Sequence, residues 1–443
     1  MGGGGGGGAG AGVRRALIDT APLRASRPFR RLWAGGTLSA LGSQMTLVAV
    51  MFQVWGMTHS TTWTGAVALA QAVPLIGLGL FAGAVADRVD RRRFYLVMTA
   101  GQAGCAVLLA VQGFLGDVVP VSGVLLLVAA QSCFVAGSGP AAKTFLPALL
   151  PREQLAAGLA SQRIGWQGAM LVGPALGGLV LGGLGVGACY AVDALSFAGA
   201  LYGALALPPL AAEGAAPARP GLGGVADGLA FLIRTPVIRG ALLTDLAATA
   251  LSMPMSLFPL VNAERFGGDP RTLGLFLSAV AVGGLVATLF SGTFTRLPRP
   301  GLVMLWGAAG WGAALVLFGL SPNRWLGLGC LVLAGAADTV SVVCRSTLVQ
   351  SRTPNALLGR VGAAEQIVGQ AGPDLGNMRG GVVADATSGV VALVSGGLLC
   401  LGTVVLVGLV TPGLRRGTAA GTDNGDRGEE TDPGRPREAA ADA

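Results

Sequence analysis

Six ionisable side chains stand inside long apolar runs. They are Asp193 in "YAVDALSF", Asp245 in "LLTDLAA", Asp338 in "AGAADTV", and Glu365, Asp374 and Arg379 in one further run. A charge within a bilayer is expensive, so each is a candidate for function. A carboxylate there can take up and release a coupling proton. It can also serve as a structural partner, as Asp374 would if paired with Arg379. By counting along the runs, Asp245 and Asp374 fall nearest mid-membrane, where transporters bind cargo. A second constellation is "GAVADRVDRRR", residues 83–93, with six charges in the seven positions from Asp87 to Arg93. No charge lies in Thr64–Ala86 before it or Phe94–Gly116 after it. Such a cluster can anchor a loop, touch lipid phosphates, or latch two helices across a gap.

Other chemistry is absent from the sequence. His59 is the sole histidine, and no Walker motif, CxxC pair or Ser/His pair occurs. The six cysteines lie in apolar runs and read as small packing residues. An enzyme, a metal centre, a cofactor site and ATP-driven transport are all disfavoured. A string of neutral amides, Gln44, Gln53, Gln71, Gln102, Gln131 and Gln167, with Trp166 and Trp311, could line a cavity or tie helices together.

The elements that must position these groups are membrane helices. Charged residues make up 12% of the chain, against about 25% in soluble domains. Apolar runs long enough to span a bilayer recur near 32–54, 64–86, 94–116, 120–141, 160–182 and 187–207. A second set follows near 237–261, 272–295, 301–320, 325–348, 359–382 and 387–410. The fold expected is all-α and integral to the membrane, twelve transmembrane helices in two halves of six. Its parts are a basic, disordered segment 1–31, an N-terminal half 32–207, a cytoplasmic linker 208–236, a C-terminal half 237–410 and a disordered tail 411–443. Residues 224–236, "GVADGLAFLIRTP", are amphipathic and suited to the membrane surface. With the N-terminus inside, all but four of the 30 basic residues fall in cytoplasmic segments or span ends, Arg163 and Arg345 among them. The exceptions are Arg265, Arg271, Arg324 and Arg379. Both termini are thus expected in the cytoplasm of a bacterial cell, with the chain in its inner membrane. The net charge of +8 then serves topology and does not point to nucleic acid.

The halves also look alike. "VGPALGG" (172–178) matches "AGPDLGN" (371–377), "LPREQLAAG" (150–158) matches "TPNALLGR" (353–360), and "GAVADR" (83–88) matches "GTFTR" (292–296), each about 200 residues apart. Parallel six-span repeats are a transporter architecture.

The loop Gly83, Asp87, Arg88, Arg91, Arg92 resembles the signature of the major facilitator superfamily, with Asp90 where the family has glycine. The resemblance implies a cytoplasmic gate in which Asp87 meets the N-terminal end of the eleventh span, near Gly359, and the arginines pair with Asp87 and Asp90. "GPALGG", with Gly173, Pro174, Gly177 and Gly178, resembles the fifth-span motif of drug–proton antiporters, although Ala160 and Ala169 replace preferred glycines. The stretches 57–69, 299–322 and 348–369 are similar to the enterobactin exporter branch of the superfamily. That resemblance implies a monomeric secondary-active exporter of a small natural product, a siderophore first of all, working by alternating access with proton antiport. Multidrug or macrolide efflux is the alternative. Proton coupling is implied by the family alone, since the first span has no acid and the fourth offers Gln131 and Lys143 in place of arginine.

Overall fold

A computed structural model describes residues 21–86, 89–116, 118–205, 207, 229–294, 297–354 and 357–416. All regular structure among them is helical. The crossing helices are α1 (Arg27–Thr58), α2 (Thr61–Ala86), α3 (Arg91–Leu115), α4 (Val121–Leu149), α5 (Leu155–Leu184) and α6 (Val186–Leu205). They continue with α7 (Pro236–Arg265), α8 (Pro270–Leu289), α9 (Pro300–Leu320), α10 (Arg324–Arg352), α11 (Leu358–Ala386) and α12 (Gly389–Val410). Eleven of them, all but α11, are both long and apolar enough to cross a bilayer. The 29 residues of α11 are long enough, but Arg360, Glu365, Asp374, Arg379 and Asp385 make it polar. It packs among α2, α7 and α12, where polar groups can find partners.

Local chemistry ends the helices. Gly185, at φ 82°, turns α5 directly into α6. His59, at φ 50°, closes α1 just before α2 begins. Asp90 caps α3 by accepting from Arg93 N (2.9 Å), which accounts for an aspartate where the family has glycine.

Helix α7 departs from the continuous span expected at 237–261. Regular α-helix stops at Ala250, passes through a turn and a 3₁₀ segment at Met255–Leu257, and resumes at Phe258. Pro254 lacks an N–H and cannot continue the ladder. The freed backbone is satisfied from α11. Arg379 Nη1 donates to Leu251 O (2.5 Å), Ser256 N donates to Asn377 Oδ1 (3.1 Å), and Ser256 Oγ donates to Asn377 O (2.7 Å). Irregular backbone is tolerated at membrane depth where protein covers it.

Helices α1–α6 pack on one another, as do α7–α12, and the two sets meet along α5/α8 and α2/α11. In the helical turns 229–234, the described part of the stretch expected on the membrane surface, Leu232 is buried against Ile238, Leu242, Val349 and Val361, while Leu229 and Ile233 are exposed. Exposed Leu, Val and Phe, such as Leu184 at 73% and Leu289 at 75%, cover the outside of the bundle.

For orientation, the end where α1 starts and α2 finishes is called the basic end, and the other the far end.

Candidate functional site

A cavity of about 450 Å³ lies between the two sets of helices. From α1 and α5 it receives Gln44, Arg163, Gln167, Met170 and Pro174, and from α8 and α10 Leu277, Thr288, Asp338 and Thr339. Met255 enters it from the break in α7. The lining is mainly apolar with a few convergent polar groups, the make-up of a small-molecule site. A second hollow of about 260 Å³ lies nearer the basic end, lined by Trp33, Gly36, Thr37, Tyr95, Gln162 and Trp166 among others. On α1 the residues 33, 37, 40, 44 and 47 follow helical spacing, so one face of that helix runs through both. Trp166 is half exposed, and Trp33 Nε1 is held by Ser161 O (2.8 Å).

At the far end the halves close tightly. Gly173 and Gly177 face α1, where an added Cβ would come within 2.5 Å of Gln44 Cβ and 3.0 Å of Met45 Cα. Gly178 faces α8, and a Cβ there would lie 2.7 Å from Pro270 O. A Cβ on Gly274 would lie 2.3 Å from Pro174 O. Within the antiporter-like motif, Gly173 and Gly177 thus pack α5 on α1 of the same half, and Pro174 and Gly178 form the α5/α8 seam. In the α2/α11 seam, a Cβ on Gly65 would lie 2.8 Å from Asn377 O, and one on Gly381 would lie 2.3 Å from Thr61 O.

The intramembrane acids separate into groups. Arg345 Nη1 lies 3.3 Å from Asp245 Oδ2 and 3.3 Å from Glu365 Oε1, joining α7, α10 and α11. The side chains are 8%, 8% and 17% exposed for Arg345, Asp245 and Glu365. Arg345 was expected among the cytoplasmic charges; it is a buried counter-ion, a role invisible until three helices are assembled. Asp338 adjoins this triad within electrostatic reach of Asp245 and Arg345, and it also lines the cavity. Asp338, rather than Asp245 or Asp374, is therefore the acid that the described cavity exposes.

Asp193 is fully buried inside the N-terminal set. It accepts from Thr46 Oγ1 (2.9 Å) and Ser43 Oγ (3.4 Å) on α1 and from Ser196 Oγ (3.4 Å) on its own helix. The pairing considered between Asp374 and Arg379 does not form, because Arg379 is spent on the α7 break. Asp374 makes no hydrogen bond or ion pair with the described residues and shares a helix face with Met378, Gly381 and Asp385, which lie along the α2 seam.

Of the expected gate, Gly83 lies near the end of α2, and Asp87 and Arg88 lie outside the described residues, as does Arg296 of the second copy. Asp90 serves as the α3 cap, and Arg92 Nη2 donates to Leu205 O (2.7 Å) at the end of α6. Arg91 begins α3. Among the glutamines, Gln44 and Gln167 line the cavity. Gln53 and Gln112 exchange amide hydrogen bonds (2.9 and 3.0 Å), with Tyr190 Oη donating to Gln53 Oε1 (2.8 Å). Trp311 Nε1 donates to Ala248 O and Ser252 Oγ beside the α7 break.

Sequence reasoning missed Asp385. It ends α11 and grips the start of α2, 324 residues away in the chain.

Comparison with known proteins adds three findings. The family described as "Transmembrane secretion effector" matches residues 18–424. Proteins named enterobactin exporter EntS, from Escherichia coli O1:K1 and from Shigella boydii serotype 18, are each 30% identical over 399 residues, covering 89% of this chain and 94% of theirs. Among solved structures, the nucleoside transporter NupG superposes with a TM-score of 0.70 at 14% identity, covering 88% of this chain and 99% of that one. A bacterial homologue of the iron transporter ferroportin, in an inward-facing state, gives 0.65 at 16%, covering 88% and 98%. These structures share the fold.

Proposed function

The chain belongs to the transmembrane secretion effector family of the major facilitator superfamily, and from that premise we propose that it exports a small aromatic, amide-bearing natural product, a catecholate siderophore first of all. It is a multi-pass membrane transporter and not an enzyme. The observation that carries the proposal is the cavity shared by both halves, sealed at the far end and continued toward the basic end by the aromatic hollow. With the basic end in the cytoplasm, this is the loading state of an exporter. Gln44, Gln167, Thr288 and Thr339 offer neutral hydrogen bonds, and Trp33, Tyr95 and Trp166 offer ring faces. Catechol rings joined by amides suit such a lining, and the names of the enterobactin exporter relatives agree with it.

Transport then proceeds by rocking of the halves. Closure at the basic end is assigned to Gly83, Asp87, Arg88 and Arg91, with Asp87 engaging the start of α11 as the family resemblance implies. Asp90 and Arg92 anchor the same loop to α3 and α6. Proton coupling is assigned to Asp338 and, through it, to the Asp245–Arg345–Glu365 triad. Three acids share one arginine there, so a single proton taken up at Asp338 removes like-charge repulsion against Asp245. Asp374 stands at the seam as a second acceptor. Asp193 and Arg379 have structural roles, fixing α1 to α6 and bridging the α7 break.

The test is transport in inside-out vesicles energised with an acidic lumen. Uptake of a catecholate siderophore is expected for wild type and for Asp193→Asn, and is expected to fall at least about tenfold for Asp338→Asn. Macrolide uptake without siderophore uptake would leave the exporter reading standing and move the cargo to the efflux class. Transport of neither would overturn the proposal.

A further inference from the structure

The first turn of an α-helix has N–H groups with no partner in its own helix. At the start of α2 those groups are filled from the other half of the molecule. Asp385 Oδ1 accepts from Thr61 N (2.7 Å) and Thr61 Oγ1 (2.6 Å). Asp385 Oδ2 accepts from Thr62 N (2.9 Å) and Ser60 Oγ (2.5 Å). Gly381 O, one turn earlier on α11, lies 2.7 Å from Thr61 Oγ1 and shares its single hydroxyl proton with Asp385 Oδ1. A charged acceptor at a helix N-terminus gains from both the hydrogen bonds and the helix dipole.

The same residue is badly placed for its own helix. Asp385 lies in the last turn of α11, which ends at Ala386, where the dipole disfavours a negative charge. Local helix chemistry does not explain an aspartate there; the contact with α2 does. Glycines on both helices let the backbones meet beside it, at Gly65 and Gly381.

We propose that Asp385 is the gating residue of the far end, latching α11 to α2 in the state that opens toward the basic end and releasing when the halves rock. The proposal rests on the alternating-access reading. Helices α2 and α11 run antiparallel, since Thr61 lies against Gly381 while Gly65 lies against Asn377. In the sequence Asp87 follows the last residue of α2, and Asp385 precedes the last residue of α11. With closure at the basic end assigned to the loop after α2, as proposed above, the two closures would alternate. A carboxylate suits such a device because it holds several donors at once and is well solvated when it lets go.

The experiment measures the far-end opening directly. Spin labels are placed at Leu184→Cys and Glu264→Cys, exposed positions on opposite halves, in a chain whose six native cysteines are replaced. Distance distributions are recorded in lipid for each variant. Asp385→Asn is expected to raise the ratio of long to short distances about tenfold. Thr61→Val, which keeps the carboxylate, is expected to give a smaller change in the same direction, and Asp385→Glu to restore part of the short population. Gly178→Leu, a wedge in the other seam, serves as the positive control. If Gly178→Leu lengthens the distance and Asp385→Asn and Thr61→Val do not, the latch is overturned and alternation stands. If no variant lengthens it, both are overturned.

Discussion

At the scale of single residues, Arg345 and Asp385 make opposite demands. Arg345 is buried between Asp245 and Glu365, so its removal strands two carboxylates in the protein interior. Arg345→Met is expected to cost about 3–5 kcal/mol, read as a lowered unfolding temperature in detergent. Adding Asp245→Asn and Glu365→Gln is expected to recover most of that stability while transport stays lost. An unchanged unfolding temperature for Arg345→Met alone would mean that the triad holds no charge. Asp385 lies beyond the predicted eleventh span, at an exposed position. Burial alone would raise its pKa, but the hydrogen bonds from Ser60, Thr61 and Thr62 outweigh that and leave it well below the usual carboxylate range. A depressed pKa in the latched state means that the stabilisation is complete above the ordinary value, about 3.9, and fades as pH falls through the lowered one. The difference between wild type and Asp385→Asn in far-end distance is therefore expected to be constant from neutral pH down to about pH 5 and to shrink only in stronger acid. A difference that vanishes near neutrality would contradict this. The isolated acids were visible in sequence because each interrupts an apolar run. Arg345 was not, since seven residues from the end of α10 it looks like a loop charge until α7 and α11 are placed beside it. Asp385 was not, because its partners lie in the other half of the chain.

At the scale of elements, run length carried the reading well. A bilayer fixes how long an apolar helix must be, so the positions of the helices follow from hydropathy. Interruptions within a helix depend on what packs outside it. Pro254 marks a break in α7, but only α11 shows how it is satisfied, with Arg379 and Asn377 filling the opened backbone groups. Arg379→Leu is expected to lower stability by about 1–3 kcal/mol through an unpaired carbonyl at Leu251, measurable as a lower melting temperature. Glycines divide in the same way. Gly36 has nothing within 4 Å of an added Cβ, so Gly36→Ala is expected to be neutral or to gain up to about 1 kcal/mol in helix propensity. Gly274→Ala would press on Pro174 O, so the seam must part, and an increase in far-end opening is expected from the same distance measurement. The motif "GPALGG" pointed to α5 in sequence, but its partner glycine on α8 carries no motif of its own.

At the scale of the whole molecule, charge and cavity must agree about direction. An exporter loads from the cytoplasm, so the cavity that reaches toward the basic end has to face inward in the resting protein. The bias of arginine toward that end argues for the same orientation from a separate physical cause, the cost of moving basic loops across the membrane. Thiol labelling of single-cysteine variants separates the two arguments. Glu264→Cys, exposed at the far end, is expected to react with an impermeant maleimide in intact cells. Arg152→Cys, exposed between α4 and α5, and Trp166→Cys, in the aromatic hollow, are expected to react only after permeabilisation. If Trp166→Cys reacts in intact cells while Arg152→Cys does not, the topology holds and the resting state is outward-open. If both react and Glu264→Cys does not, the topology itself is inverted and the cavity serves import. Agreement of all three would leave release of the far-end latch as the step that commits loaded cargo to the outside.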